Sequence, residues 1–176
     1  MNVSYARFLT RLKAFLFDYI IILMYLLFIV MISVVFVPAL QKLFIHSVPV
    51  SQLTTFLLVT FPVVLYFSFF DSKFSKGSFG KRKTGLKVVD SKGARLSFLH
   101  SLGRNLVKFV PWEFGHYTAF KMAYLGEGGV PPVDWITGIL TYVLIFAYIL
   151  TAIYTKKKQS VYDIAVNTYV IKEKCV

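Results

Sequence analysis

The chain has 176 residues, of which 57% are hydrophobic and 18% aromatic, and its formal net charge is +12. A mean hydropathy of +0.66 excludes an ordinary soluble domain, and the length allows one small membrane domain but not two. The single cysteine, Cys175, and three scattered histidines give neither a disulfide framework nor the spacing of a metal site, so we expect no metal and no cofactor.

Three stretches without a charged residue predict transmembrane helices: 19–37, 53–70 and 135–154. Each approaches the ~20 residues that a helix needs to cross about 30 Å of hydrocarbon. With their flanks they predict spans at about 17–38, 52–70 and 134–155. The first is too long for a signal peptide and no small-residue cleavage site follows it, so we expect it to remain in the mature protein.

The loop 71–96 is rich in lysine and arginine, and its second half predicts a small β-sheet. Residues 86–90 and 94–97 flank a glycine-containing turn, which is typical of a β-hairpin. The tail segment 168–171 is also β-rich, and its pairing with the loop would cover exposed backbone edges.

Residues 97–112 predict a fourth helix, either a short crossing or a helix on the cytoplasmic surface. Apolar and basic residues recur at helical spacing on its two faces: Leu99, Leu102, Leu106 and Phe109, and His100, Arg104 and Lys108. We expect Pro111 to end it. A charge at a helix centre costs ~2.5–3.5 kcal/mol, so the segment would cross only when packed against other spans with its basic stripe inward. We favour this crossing.

The distribution of positive charge predicts the orientation of the chain. Most of the 20 lysines and arginines lie before the first span, in the loop 71–96 or after the last span. The positive-inside rule then places both termini and Lys81 in the cytoplasm, with Lys42 and Gly128 outside the cell. We therefore predict an all-α membrane protein of the cell membrane. Its single domain, 1–176, would be a small transmembrane helical bundle of three clear spans and a fourth, with a small cytoplasmic sheet.

The basic charge does not indicate a nucleic-acid-binding protein, because the lysines cluster beside the spans, where anionic headgroups lie. The expected partners are the lipid bilayer and these headgroups, with a homo-oligomer or a protein partner left open. No nucleophile elbow, zinc pair or paired carboxylates are present, so we do not expect an enzyme. The segment Gly77-Ser78-Phe79-Gly80-Lys81 lacks the spacing of a phosphate-binding loop and predicts a tight turn.

Three charged residues lie at the ends of the predicted spans: Arg11 and Asp18 at the entry to the first span, and Asp163, followed by Ile164-Ala165, after the last. This pattern resembles the RDD family of small, mostly bacterial membrane proteins, which is named for an Arg, an Asp and a second Asp. Arg11 and Asp18 are similar to the first pair, and Asp163 is similar to the last. Tyr162 stands where the family more often has His.

Further motifs of the loop and the fourth helix support this resemblance. Gly77, Gly80 and Lys81 are similar to the family's glycine-lysine segment, although Phe79 stands where Thr is more usual. The strand 86–90 follows, as in the family, and Arg104 is similar to its helix arginine.

The resemblance implies a limited view of function, since some members have been proposed to exchange Na⁺ for H⁺. Exchange requires a carboxylate that trades a proton for a cation, and Asp18 is the one that we expect at membrane depth. We expect Asp18 to pair with Arg104 or Arg11, and Asp163 to bind backbone groups or a basic residue. An ion pair would keep Asp18 charged, which favours a structural or accessory role. The alternative is a cation/proton antiporter that works as a homo-oligomer.

Overall fold

A computed structural model of the protein describes residues 4–125 and 131–172. This part of the chain is mainly helical and contains one two-stranded sheet. Its elements in chain order are α1 (Phe8–Met31), α2 (Ala39–Phe44), α3 (Val48–Thr55), α4 (Phe61–Asp71), α5 (Phe79–Thr84), β1 (Leu86–Asp90), α6 (Phe98–Leu125), α7 (Pro132–Tyr154), α8 (Val161–Ala165) and β2 (Thr168–Lys172). A π-helical turn, Ile32–Phe36, extends α1, and another, Phe56–Thr60, joins α3 to α4.

Three helical segments are long and apolar enough to cross a membrane: Phe8–Phe36, Val48–Asp71 and Asp134–Tyr154. The three predicted spans are therefore confirmed by length and composition. Most side chains of the first and third segments are exposed. Only 11% of the residues in the most hydrophobic 18-residue stretch of each segment are buried. Exposed apolar side chains at this density are stable against lipid tails and costly in water.

The helix α6 corrects the prediction that Pro111 ends the fourth helix. It continues from Phe98 to Leu125 with Pro111 inside it. Proline cannot donate to the carbonyl four residues earlier, which is that of Val107. The Tyr148 hydroxyl donates to this carbonyl at 2.7 Å, so the acceptor that Pro111 leaves is satisfied by a side chain of α7.

The sheet confirms the predicted pairing of loop and tail, but the predicted hairpin is wrong. Strand β1 pairs antiparallel with β2, with Val88 opposite Val170. After β1, the Asp90 carboxylate accepts hydrogen bonds from the backbone N–H groups of Lys92 and Ala94 at 2.8 and 2.9 Å. After this closed turn, residues 94–97 lie beside Ser72, where Leu96 forms a single parallel bridge instead of a second strand paired with β1.

The described residues divide into two compact units. The first comprises residues 4–22, 64–108 and 146–172, and the second comprises residues 23–63, 109–125 and 131–145. The first unit contains the sheet and a small apolar core around it, formed by Ala6, Ala14, Leu86, Val88, Leu96 and Val170. In the second unit, Tyr25 donates to the Leu58 carbonyl at 2.6 Å, which ties α1 to the π-helical turn before α4.

A buried charge network as candidate functional site

Asp163 is the centre of a charge network in the first unit. It lies in the first turn of α8 and is fully buried. Its Oδ2 accepts from Arg11 Nη1 at 2.5 Å and from the Ser160 backbone N–H at 3.2 Å. Its Oδ1 accepts from Arg104 Nε and Nη2 at 2.9 and 2.7 Å. The expectation that Asp163 binds backbone groups or a basic residue is confirmed, and it binds two arginines.

Asp71 is a second carboxylate of the network, which sequence reasoning missed. It ends α4 and is buried, and its Oδ2 accepts from Arg104 Nη1 at 3.0 Å. The Lys81 ammonium donates to its other oxygen. Arg104 therefore joins Asp163 and Asp71 with N–H groups on three different nitrogens, a spread that a planar guanidinium has and the single nitrogen of an ammonium does not. The available signal was position, since Asp71 is the first charged residue after the second uncharged stretch.

Asp18 does not pair with an arginine, so the sequence-based expectation was wrong. Its Oδ2 accepts from the Ser78 hydroxyl at 2.6 Å, and its Oδ1 accepts from the Gly80 backbone N–H at 2.8 Å and the Tyr66 hydroxyl at 3.1 Å. Asp18 thus caps the N-terminus of α5, where free N–H groups and the helix dipole favour a negative charge. The physical reason for the error is that backbone donors can satisfy a carboxylate as well as a guanidinium does.

The glycine segment is shaped by this contact. A Cβ atom on Gly80 would lie 1.8 Å from the Ala14 carbonyl oxygen, so only glycine allows α5 to approach α1 so closely. Gly77 has a φ of +120°, which L side chains rarely adopt, and begins the turn. The Gly80 N–H that a phosphate-binding loop would use is bonded to Asp18. The predicted tight turn is limited to the start of the segment, because Phe79, Gly80 and Lys81 already belong to α5.

Electrostatics inside the network favour charged carboxylates. Burial raises the pKa of the Asp163 carboxyl, but the guanidinium groups of Arg104 and Arg11 outweigh this and hold the pKa below its ordinary value. Burial lowers the pKa of the Lys81 ammonium, and the neighbouring Asp71 carboxylate opposes that shift. Buried charges of this kind are strongly destabilising when one partner is removed, by about 3–5 kcal/mol.

A second group of polar residues, around Glu113, lies in the other unit and was not predicted. Glu113 belongs to α6 and accepts from Gln52 Nε2 at 2.6 Å and from the Thr60 hydroxyl. His116 follows one turn later, with Nδ1 at 3.5 Å from Glu113 Oε1. Glu113 is therefore a second partly buried carboxylate that the sequence analysis did not consider. The continuation of α6 past Pro111, which sequence reasoning excluded, places Glu113 inside a helix.

Most of the sequence-predicted site residues meet in one network. Ion pairs connect the basic residues to two carboxylates. Arg11 and Arg104 bind Asp163, and Arg104 and Lys81 bind Asp71. Asp18 is next to this network, because it accepts a hydrogen bond from the backbone N–H of Gly80, the residue before Lys81. Within residues 4–125 and 131–172, no group of three His, Cys, Asp or Glu side chains is arranged to hold a metal ion.

The motifs that form this network extend along nearly the whole chain, from Arg11 on α1 to Asp163 on α8. No curated protein and no solved structure matches the chain. The sequence model of the RDD family matches residues 5–167. This match includes Arg11, Asp18, Arg104 and Asp163, together with the glycine segment and strand β1 between them. The chain belongs to the RDD family.

Proposed function

We propose that this RDD protein is a structural or accessory protein of the cytoplasmic membrane, with both termini in the cytoplasm. The observation that carries the proposal is that Asp18, Asp71 and Asp163 all have hydrogen-bond or ion-pair partners. Each of these carboxylates is at most 2% exposed and is held by at least two donors. A carrier of protons or cations must release its partners and meet water during each cycle, whereas a structural lock keeps them.

The network would hold five helices (α1, α4, α5, α6 and α8) around a basic sheet, which could dock a partner or lipid headgroups. Phe74 supports this view, because it is 63% exposed and carries the Lys73 ammonium 5.8 Å from its ring centroid. Phe79, a second aromatic residue of the loop 71–96, is only partly exposed. A surface of exposed aromatic and basic groups is suited to anionic headgroups.

Flux measurements on purified protein in liposomes test the proposal. We expect no cation-driven proton flux above that of empty liposomes for Na⁺, K⁺ or Li⁺. Arg104→Lys should lower the yield of folded protein in detergent, because a single nitrogen cannot reproduce the two-nitrogen contact with Asp163 together with the contact to Asp71. Lys92→Arg, at an exposed turn, is the matched control and should give a normal yield. Flux that is abolished by Asp18→Asn while that variant still folds would contradict a structural role.

The second candidate function is cation/proton exchange by a homo-oligomer, and the environment of Glu113 favours it. An ionisable side chain within a membrane helix is a functional candidate by default. Beside Glu113, the Gln52 side-chain oxygen and the Thr55 hydroxyl are buried without a hydrogen-bond partner in the described part of the chain. Oxygen atoms of this kind are ligands for small hard cations. A π-helical turn next to them, ending at Thr60, is a feature frequent at functional sites.

Paired variants distinguish the two functions. If exchange takes place, Glu113→Gln should abolish the flux and keep the fold, because the amide retains the hydrogen bond to Thr60 or Gln52. Asp18→Asn should instead reduce folding. Flux that is equal in the wild type and in Glu113→Gln would exclude Glu113 as the carrier.

A further inference from the structure

A cavity of about 190 Å³ lies within the first unit, and its lining contains both basic and apolar residues. The basic residues are Arg11, Lys81, Arg104 and Lys108. The apolar residues include Phe8, Leu12 and Phe15 of α1 and Phe67 of α4. Asp18 is the one carboxylate among the described residues that line the cavity, and both of its oxygens accept the hydrogen bonds given above.

Basic side chains outnumber carboxylates around the cavity. Four basic residues line it, whereas Asp18 is the carboxylate of the lining, and Asp71 and Asp163 form ion pairs with Arg11, Lys81 and Arg104. A bound anion of single charge would add a further partner for these basic groups.

The Arg11 guanidinium has donor capacity left for such an anion. Its Nη1 donates to Asp163 and its Nε donates to the Ala6 carbonyl at 3.3 Å, while Nη2 is buried without a hydrogen-bond partner. On the same cavity, the Lys108 ammonium lies 3.9 Å from the centroid of the Phe67 ring. A guanidinium with a free N–H and a nearby ammonium form a combination that recognises phosphate.

We propose that this cavity binds a singly charged phosphate group, as carried by an anionic phospholipid or by free phosphate. The apolar lining residues favour a lipid as the source of the phosphate group, because Leu12 and Phe15 are 40% and 37% exposed on the surface of the first span. An acyl chain could follow them while the phosphate meets Arg11 and Lys108. The inference goes beyond the proposed function and does not depend on it, since it requires only the cavity and its charges.

Lipid retention by the full-length protein tests the proposal. Native mass spectrometry of the purified chain should show retention of phosphatidylglycerol about tenfold stronger than that of phosphatidylcholine, the difference expected from one charge-assisted contact. Lys108→Gln and Arg11→Lys should each lose most of this preference, and Lys92→Gln, an equal charge change at an exposed turn, should keep it. Equal retention of the two lipids by the wild type would overturn the proposal.

A measurement on the wild type alone covers the case in which the variants fail to fold. Amine-reactive labelling followed by peptide mapping should show Lys108 protected in phosphatidylglycerol micelles relative to phosphatidylcholine micelles, with Lys92 labelled equally in both. Protection by inorganic phosphate in phosphatidylcholine micelles would identify free phosphate as the source, and protection by phosphatidylglycerol alone would identify the lipid. Labelling of Lys108 that neither addition changes would overturn the proposal.

Discussion

At the scale of single residues, the arginine and aspartate residues of the family signature do not form one-to-one ion pairs. Both arginines, Arg11 and Arg104, converge on Asp163, while Asp18 is bound by a hydroxyl and a backbone N–H. One aspartate therefore acts through ion pairs and the other as a helix cap. The two roles require different substitutions to test them.

Asp163→Asn should destabilise the protein by about 3 kcal/mol or more, because it leaves two buried guanidinium groups without their shared carboxylate. Tryptophan fluorescence during thermal unfolding in detergent measures the change. Asp90→Asn is the matched control, since an amide oxygen can still accept from Lys92 and Ala94 in an exposed turn, and its effect should stay below about 0.5 kcal/mol. Equal stability of Asp163→Asn and Asp90→Asn would show that the network contributes little.

The lowered pKa of Asp163 also predicts a dependence of stability on pH. A carboxyl group whose pKa is lower in the folded than in the unfolded state contributes stability above the unfolded value, about 3.9, and loses it as the pH falls through the folded value. The wild type should therefore lose stability below about pH 4 more steeply than Asp163→Asn. Unfolding curves at pH 6, 5, 4 and 3 provide the comparison, and parallel curves for the two proteins would contradict this assignment.

Gly80→Ala should prevent correct packing of α5, because its Cβ atom would lie 1.8 Å from the Ala14 carbonyl oxygen. We expect a large loss of folded protein on size-exclusion chromatography. Gly103→Ala is the matched control, since nothing lies within 4 Å of a Cβ atom at this helical position. It should be neutral or stabilising by up to about 1 kcal/mol, because alanine favours helix over glycine. Normal yield of Gly80→Ala would refute the close approach of α5 and α1.

At the scale of secondary-structure elements, α6 shows how a proline is accommodated within a long helix. The carbonyl that Pro111 cannot bond is that of Val107, and Tyr148 of α7 supplies the missing donor. The same hydroxyl therefore stabilises α6 and links it to α7. This contact explains why a residue that usually ends a helix does not do so here.

Tyr148→Phe should lower stability by about 1 kcal/mol, since the Val107 carbonyl then lacks a donor in a site shielded from water. In a Pro111→Ala background the same change should cost much less, because the alanine N–H can donate to Val107. A double-mutant cycle measured by thermal unfolding gives the coupling between the two positions. Additive effects of the two substitutions would contradict the proposed replacement of the donor.

At the scale of the whole molecule, the distribution of positive charge predicts which side of the membrane each loop faces. In a Cys175→Ser background, Lys42→Cys should be labelled by a membrane-impermeant reagent added to intact cells, and Lys92→Cys should not. Both positions are exposed, so the difference would report the side of the membrane. Gly128, the other position that we expect outside, lies beyond the described residues. Labelling of Lys92→Cys but not Lys42→Cys would reverse the orientation.

The sequence alone determined the features that depend on local composition. Uncharged stretches of bilayer length predicted the three spans, since exposed apolar helices need lipid around them. The β-rich segments 86–90 and 168–171 predicted a sheet between loop and tail, and the motifs around Arg11 and Asp163 indicated the family.

Only the tertiary structure decided which groups meet. The roles of Asp71 and Glu113 follow from contacts with residues that are distant in sequence, Arg104 and Gln52. The assignment of Asp18 to the start of α5 depends on a close approach that only Gly80 permits. The assignment of both arginines to Asp163 depends on the packing of α1 and α6 against α8. The passage of α6 through Pro111 depends on a hydroxyl from α7. Local sequence fixes where a helix or strand is favoured, whereas the partner of a buried polar group depends on which elements pack together.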